Sequence, residues 1–312
     1  MTGAGNLLVI FGPTASGKSA LAMEVARQSG AEILSADSMQ VYRHMDIGTA
    51  KPTAAERAEV LHHGVDVVEP VEEFTVAKFV TLADATIAQA TESGRPLIIT
   101  GGTPLYFKSL FDGIFEGPGA DAALREELRT LPNAVLHAQL SHVDPTAAAR
   151  IHENDTKRLI RAIEVFKLTG KPITSWQTEW AAGGSRHQAT FIGLQWERDA
   201  LNRRINARAK LMIEAGWLEE TRALYDRFGN LSLTSGEATG YRHLHAHLGG
   251  LMTLDDAVEQ IKISTRQLAR RQMKWFRRFP ETTWLNGERP TIDLCADVMA
   301  RWRGSPTGAQ PG

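Results

Sequence analysis

The sequence lacks the features that mark secreted, membrane-bound and cysteine-rich metal proteins. It contains a single cysteine, Cys295, which excludes an internal disulfide and any cysteine-rich metal site, and we expect this thiol to be a small buried residue. The N-terminal apolar run Leu7–Phe11 is too short for a secretory core, and no stretch approaches the ~18 apolar residues of a membrane span. These absences predict a cytoplasmic protein with no membrane partner.

The chain also lacks an excess of charge of either sign. Its 35 lysines and arginines face 36 acidic residues, so any nucleic-acid surface must be a local concentration of cationic side chains. With 312 residues and 43% hydrophobic composition, the chain can build one large core and an added subdomain. No feature implies an obligate protein partner.

Short apolar runs alternate with helical patterns in the first hundred residues and return late in the chain. The predicted strands are Leu7–Phe11, Glu32–Ser35, Gly64–Val68, Pro96–Thr100, Thr190–Leu194 and Thr282–Leu285. Helices are predicted between them, over residues 19–28 and 75–92, and later over residues 199–228 and 255–279. This alternation predicts an α/β fold with a parallel sheet flanked by helices.

The middle of the chain has a different pattern. Long amphipathic helical patterns run from Asp121 to about Lys171, without a convincing strand, between two glycine-rich boundaries. We therefore predict a first part of the core at residues 1–116, a mostly helical insertion at 117–188, and a second part of the core with long basic helices at 189–303. The tail, residues 304–312, has no apolar content to bury and is predicted to be disordered.

A glycine-rich loop directly follows the first apolar run. It reads Gly12-Pro13-Thr14-Ala15-Ser16-Gly17-Lys18-Ser19 and fits G-x-x-x-x-G-K-[ST] between a strand and a helix, which indicates a P-loop NTPase-like fold. In such a loop, backbone N–H groups and the helix N-terminus bind an anion, Lys18 adds positive charge, and the Ser19 hydroxyl can ligate Mg²⁺. These residues are predicted to bind a diphosphate or a triphosphate. ATP and a prenyl diphosphate present similar oxygens, so the loop alone does not distinguish them.

Two further loops are expected at the same edge of the sheet. Asp37 and Ser38 follow the second strand, and Thr103 follows the strand that ends near Gly101. Because ligands of open α/β sheets bind outside the carboxyl ends of the strands, the three loops are predicted to converge on one site. Asp37 could instead cap a helix or bind the Mg²⁺ of an ATPase, and Thr103 could merely cap the next helix.

Several motifs together resemble the bacterial tRNA dimethylallyltransferases, over about residues 6 to 286. The matching segments are Gly12–Ser19, Asp37-Ser38 followed by Tyr42, Met45–Pro52, Gly101-Gly102-Thr103 with Tyr106, and Gly240-Tyr241-Arg242. The run from Asp46 to Pro52 is especially specific, because general P-loop kinases have no such run after their second strand.

The resemblance implies that dimethylallyl diphosphate supplies a prenyl group, that the acceptor is N6 of the adenine next to the anticodon (position 37) in the tRNA anticodon stem-loop, and that Mg²⁺ assists. It matches Asp37 to the general base, and a carboxylate that takes the proton helps a poorly nucleophilic amine. Lys18, Thr103 and Arg208 are suited to stabilise the departing diphosphate. Arg208 matches the family's diphosphate-binding arginine.

Arg204 lies four residues before Arg208, so the two share one helix face. For Arg204 and Arg203, a solvated surface and a functional role remain equal alternatives.

The resemblance also implies contacts with tRNA. The implied residues are Asp37, Ser38, Met39, Gln40 and Thr103 at the acceptor base, Arg125, Lys157, Arg158, Leu159, Ile160 and Arg161 in the helical insertion, and Gly240, Tyr241 and Arg242 later in the chain. This chain departs from the family at Glu237, where relatives often have a basic or amide residue.

A helix near the C-terminus carries a cationic series that we name the basic stripe: Lys262, Arg266, Arg270, Lys274 and Arg278. Its spacing of four puts these side chains on one face, which is expected to face phosphate. Ile261, Leu268, Trp275 and Phe279 are predicted to line the core-facing side.

Three histidines, His243, His245 and His247, invite a metal interpretation. Only the first and third share a helix face, and no carboxylate or cysteine accompanies them, so we predict no metal site there.

Three other functions stay open at this stage. A small-molecule P-loop kinase would use Asp37 to hold Mg²⁺ but would leave the basic stripe without a role. Prenyl transfer to a free adenine nucleotide would not need a helical insertion. A non-catalytic RNA-binding regulator would not depend on Asp37.

Overall fold

A computed structural model describes residues 6–113, 117–176 and 185–304. The chain forms two compact units, one of residues 1–108 with 187–312 and the other of residues 109–186. The predicted disordered tail lies outside the described residues, apart from Gly304, which ends the last helix. Among the described helices, none is long and apolar enough to cross a membrane.

The larger unit contains, within the described residues, one parallel sheet of six strands. They are β1 Leu7–Phe11, β2 Glu32–Ser35, β3 His62–His63, β4 Leu97–Gly101, β5 Thr190–Gln195 and β6 Thr283–Asn286. Their order is β3-β2-β4-β1-β5-β6, and all neighbours are parallel. Every residue of β1 is buried, which explains its continuous apolar sequence. The predicted α/β fold is confirmed.

The prediction of a strand at Gly64–Val68 is wrong. The edge strand is only His62–His63, because Gly64 and Asp66 have φ angles of 74° and 55°, which no extended strand can contain. Val68 keeps a single bridge to Tyr42.

The helices lie between and after the strands. They are α1 Lys18–Ser29, α2 Ala54–Glu59, α3 Val76–Glu92, α4 Pro104–Asp112, α5 Ala122–Arg129, α6 Asn133–Val143, α7 Pro145–Ala148, α8 Thr156–Thr169, α9 Arg198–Glu214, α10 Trp217–Phe228, α11 Tyr241–Leu248, α12 Leu254–Phe276 and α13 Thr291–Gly304. The predicted helix over residues 199–228 is interrupted at Gly216, whose φ of 98° ends one helix and starts the next.

Both faces of the sheet are covered by helices. On one face, Leu8 and Ile10 of β1 belong to a core that includes residues of α1 and α13, among them Cys295, which is fully buried as predicted. On the other face, the ring of Phe11 stacks on Phe276 of α12, with centroids 4.5 Å apart. The C-terminal end of α12 is thereby fixed beside the loop that follows β1.

The smaller unit has a core of its own. Leu128, Leu136, Leu140, Leu159 and Ile163 pack together from α5, α6 and α8. Two of these helices begin at side-chain caps, Asp121 before α5 and Asp155 before α8, whereas α6 follows Pro132 without one.

Candidate active site

A cavity of about 820 Å³ lies at the carboxyl edge of the sheet. Its walls include Lys18 from the loop after β1, Asp37 from the loop after β2, and Thr103 from the loop after β4. These strands are neighbours in the order β2-β4-β1, which brings their following loops together. Arg208 of α9 completes this set of side chains. The volume is in the range of natural small-molecule sites.

The glycine-rich loop turns sharply before α1. Ala15 and Gly17 have φ angles of 64° and 89°, and Lys18 is the first residue of the helix. Alternating backbone handedness of this kind directs successive N–H groups into a concavity that binds anions. Ser19 is exposed in the first turn of the helix, where its hydroxyl can reach a bound ligand.

Thr103 and Asp37 are connected through Ser38. The Thr103 hydroxyl accepts a hydrogen bond from the Ser38 backbone N–H at 3.0 Å, so it ties the two loops together rather than merely capping its own helix. Oδ1 of Asp37 accepts the Met39 N–H at 2.9 Å, which fixes the orientation of the carboxylate.

Both arginines of α9 that share a face contact the glycine-rich loop. Arg208 donates to the Thr14 hydroxyl at 3.1 Å, and Arg204 donates to the Ala15 carbonyl at 3.0 Å. The Arg204 guanidinium also lies 4.6 Å from the ring centroid of Trp196, which in turn donates to the Ser16 carbonyl. Arg204 therefore has a role in holding the loop.

The charges of the site perturb one another. Burial lowers the pKa of Lys18 to about 8, while Asp37 raises it and Arg208 lowers it further. Burial also lowers the pKa of Arg208, against the opposing effect of Asp37. Burial and then the charge of Asp37 raise the pKa of Tyr106. Two cations held close together and partly desolvated form a site for a polyanion, because such a ligand relieves their repulsion.

Gln272 is a site residue that sequence reasoning missed. It is buried, accepts the Thr14 backbone N–H at 2.8 Å, and donates to the Gly102 carbonyl at 2.5 Å. The available signal was a polar residue four positions after Leu268 and four before Phe276 in an apolar series.

The predicted core face of α12 is confirmed at Ile261, which is buried, and at Phe279, which packs against Phe11 just after the helix, but it needs correction at Leu268 and Trp275. Ala269, Gln272 and Phe276 are the buried residues of its C-terminal half, whereas Leu268 and Trp275 line the cavity. The spacing of apolar residues does not show which side of a helix packs against protein and which side borders a cavity. In α12 the side that carries Leu268 and Trp275 borders the cavity.

The basic stripe has two parts. Lys262 and Arg266 pair with Glu259, which lies three and seven positions before them in the same helix. Arg270, Lys274 and Arg278 are exposed, and Arg278 lies over the Trp275 ring.

The residues predicted to contact the acceptor base all line the cavity, and one of them, Gln40, also has a structural role. Ser38, Met39 and Gln40 line the cavity together with Asp37 and Thr103. The Gln40 amide, however, donates to the carbonyls of Thr49 and Ala50 and accepts from Ser35, so it also supports the neighbouring loop.

The loop over residues 45–52 is held by two charged side chains. The Glu220 carboxylate accepts the backbone N–H groups of residues 46, 47 and 48 and the Tyr241 hydroxyl. The buried Lys51 ammonium pairs with Asp46 and Asp66 at 2.6 and 2.7 Å. Residues 48–52 of this loop line the cavity, so these contacts hold part of the cavity wall in place.

The segment at 240–242 is mostly internal. The Tyr241 side chain is fully buried, and Gly240 has a φ of 103° beside the Trp217 ring, while Arg242 is exposed. Glu237 is exposed in a short 3₁₀ helix, and the next two residues line the cavity.

In the helical unit, some of the residues predicted to contact tRNA are buried and others are exposed. Leu159 and Ile160 are buried in the core of that unit, whereas Lys157 and Arg158 are exposed. Arg125 and Arg161 both bind the fully buried Glu164. Burial alone would raise the pKa of Glu164, but these hydrogen bonds lower it.

The three histidines of α11 are engaged separately. His243 bonds Ser264, His247 bonds the Met252 carbonyl, and the His245 ring stacks on Tyr225. Within the part of the chain that the structure describes, no group of three or more His, Cys, Asp or Glu side chains is arranged to hold a metal.

Comparisons with known proteins give consistent matches. The sequence model of the IPP transferase family matches residues 40–279, and an isopentenyl transferase model matches residues 5–63. The chain is 45% identical to the tRNA dimethylallyltransferase of Geobacter metallireducens, over 94% of this chain and 96% of that protein. It is 43% identical to the enzyme of the same name from Geobacter sulfurreducens, over 89% and 91% of the two chains.

Solved structures give the same result. The tRNA isopentenylpyrophosphate transferase of Bacillus halodurans is 37% identical to this chain, with a TM-score of 0.71 over 96% of this chain and 97% of that one. A eukaryotic dimethylallyltransferase acting on tRNA is 25% identical, with a TM-score of 0.83 over 97% and 81%.

Proposed function

The chain belongs to the IPP transferase family, and from that premise we propose that it transfers the dimethylallyl group of dimethylallyl diphosphate to N6 of adenine 37 in tRNA. The observation that carries this proposal is the single cavity in which Lys18 and Arg208 face Asp37. Cations suit the diphosphate, and the carboxylate suits the amine of the acceptor. Because tRNA is the acceptor, we place the reaction in the cytoplasm.

The proposed reaction forms one bond and breaks another, and different side chains of the cavity assist each change. The N6–carbon bond forms as the allylic carbon–oxygen bond breaks, and the diphosphate leaves with the electron pair. Asp37 takes the N6 proton. Its Oδ1 already accepts the Met39 N–H, so we assign the proton to Oδ2. Lys18, Arg208 and Thr103 stabilise the charge that grows on the leaving oxygens.

Members of this family use a divalent cation, and the oxygen donors here fit one. Mg²⁺ prefers one or two protein oxygen ligands together with phosphate oxygens. The exposed Ser19 hydroxyl follows Lys18 in the phosphate loop and lines the same cavity, where it can supply such an oxygen. We assign Mg²⁺ with Ser19 as its ligand, where the cation would neutralise charge on the diphosphate.

The tRNA surface is proposed on each unit separately. On the larger unit it comprises the loop at Asp37–Gln40, Arg242 and the exposed residues of the basic stripe. On the helical unit, residues 109–186, it comprises Lys157 and Arg158, while Arg125 and Arg161 shape the surface through Glu164.

The experiment is incubation of the pure protein with radiolabelled dimethylallyl diphosphate, Mg²⁺ and tRNA that lacks the modification. The proposal expects label in tRNA and its loss when adenine 37 is replaced by guanine. Label in free adenine nucleotide, or phosphate transfer from labelled ATP without prenyl transfer, would contradict it.

A further inference from the structure

Gln272 joins two loops of the active site through one buried amide. Its Oε1 accepts the Thr14 N–H and its Nε2 donates to the Gly102 carbonyl, and the residue is 6% exposed. With both ends bonded, the amide has one allowed orientation, because a flip would place NH₂ against N–H and oxygen against oxygen.

Both residues that Gln272 bonds, Thr14 and Gly102, are connected to side chains of the reaction centre. The Thr14 hydroxyl accepts from Arg208, and Thr14 belongs to the loop that ends in Lys18. Gly102 precedes Thr103, whose hydroxyl holds the Ser38 N–H next to Asp37. A single amide therefore links the glycine-rich loop directly with the Thr103 loop, and through the Thr103 hydroxyl with the loop of Asp37.

Packing fixes the position of this amide. One helical turn after Gln272, Phe276 stacks on Phe11, the residue that precedes the glycine-rich loop. Gly102 leaves no spare space, because a Cβ there would lie 2.7 Å from the Gln272 nitrogen and 3.5 Å from Nζ of Lys18. The separation of the two loops is thus set by α12.

We propose that Gln272 is a positioning residue for prenyl transfer. It holds the glycine-rich loop and the Thr103 loop at the separation at which Lys18, Arg208 and Thr103 reach the same diphosphate. This inference rests on the proposed function for its chemical readout. Gln272 does not touch the reacting atoms, so its loss should affect the rate of transfer rather than the affinity for tRNA.

The test compares Gln272→Met and Gln272→Glu with Gln260→Met, which changes an exposed glutamine on the same helix. We expect Gln272→Met to lower the single-turnover rate at least about tenfold, while the tRNA dissociation constant changes less than about twofold. Gln260→Met should behave like the wild type. Thermal melting checks that each variant is folded, and Gln272→Glu carries the test if Gln272→Met does not fold.

The Gln272→Glu variant adds a pH readout. Its carboxylate can accept from Thr14 but repels the Gly102 carbonyl, whereas its protonated form can donate to that carbonyl and restore both bonds. The rate relative to the wild type should therefore rise as the pH falls from 8 to 6. A constant ratio, or equal losses of rate and tRNA affinity in both variants, would overturn the proposal.

Pyrophosphate binding, measured by calorimetry, separates this inference from the proposed function. If the wild-type protein transfers no prenyl group, the proposed function fails, and the calorimetry then decides the positioning role. Weaker pyrophosphate binding in Gln272→Met but not in Gln260→Met supports it. Equal binding in all three proteins overturns it.

Discussion

Arg208 donates a hydrogen bond to the hydroxyl of Thr14 at 3.1 Å, across 194 positions of the sequence. The contact brings a cation of α9 onto the loop that begins α1, so two distant segments form one phosphate site. The Arg208 side chain is half-buried in the absence of a ligand, and this burial lowers the pKa of its guanidinium. A desolvated cation interacts strongly with charge that develops nearby.

Arg208→Ala should therefore slow prenyl transfer more than it weakens tRNA binding. We expect a loss on the order of 10²-fold in kcat, because the contact strengthens as the diphosphate leaves. Arg203→Ala removes an exposed arginine from the same helix and should leave kcat unchanged. Single-turnover kinetics and filter binding of tRNA measure the two quantities. Parallel losses of rate and tRNA affinity would assign Arg208 to RNA binding instead.

Lys18 gives the site a pH dependence. Burial lowers its pKa to about 8, so the ammonium form that attracts diphosphate dominates below pH 8 and the neutral amine above it. Pyrophosphate binding should weaken by on the order of tenfold between pH 7 and pH 9 relative to Lys18→Arg, whose guanidinium stays charged. Pyrophosphate itself titrates equally in both experiments. Identical pH profiles by calorimetry would contradict a pKa near 8 for Lys18.

The Lys18→Ala variant tests the cation itself. It should weaken the binding of dimethylallyl diphosphate but not of tRNA.

The sequence predicted those features of the fold and the site that depend on the residues of one short segment. The strand Leu7–Phe11 is apolar throughout, and the glycine-rich loop follows it, so the phosphate loop and the shared edge of the sheet were predictable. The role of Gln272 could not be predicted, because its partner Thr14 is 258 positions away in the sequence. The packing of α12 decides which of its polar residues meets that partner. The strand predicted at Gly64–Val68 failed for a similar reason: Asp66 takes a left-handed conformation while it pairs with the distant Lys51.

Glu220 should stabilise the loop over residues 45–52. Its carboxylate accepts three backbone N–H groups and the Tyr241 hydroxyl, and Glu220→Ala leaves these donors without that acceptor. We expect the free energy of unfolding to fall by about 3 kcal/mol. Glu219→Ala, at the exposed neighbouring position in the same helical turn, should cost less than about 1 kcal/mol. Urea denaturation compares the two variants, and equal losses would mean that the loop does not depend on Glu220.

The basic stripe should make tRNA binding strongly dependent on salt. Lys274→Ala combined with Arg278→Ala should lower the slope of log affinity against log salt by roughly one unit per lost phosphate contact. A matched double variant, Arg27→Ala with Arg303→Ala, removes two exposed cations near the opposite edge of the sheet, where α1 ends. Its slope should equal that of the wild type. If the stripe variant keeps the wild-type slope, the stripe faces solvent in the complex.

Asp37 distinguishes base catalysis from metal binding. Asp37→Asn keeps the size of the side chain and can still accept the Met39 N–H through its amide oxygen, but it loses the proton acceptor. We expect this variant to fold normally, to bind diphosphate with Mg²⁺, and to lose on the order of 10²-fold or more in prenyl transfer. Asp226→Asn, at an exposed position on α10, serves as the control for the substitution itself.

The measurements on Asp37→Asn also test the kinase alternative. The acceptor base must leave its stack in the anticodon loop to reach this carboxylate. The rate of transfer is measured on whole tRNA that lacks the modification. Calorimetry of pyrophosphate with increasing Mg²⁺ then reports the metal. Weak binding in the variant, with activity restored by excess Mg²⁺, would identify Asp37 as a metal ligand, as a P-loop kinase requires. Normal binding with slow transfer assigns the proton to Asp37, because the diphosphate site is then intact and only the acceptance of the N6 proton is lost.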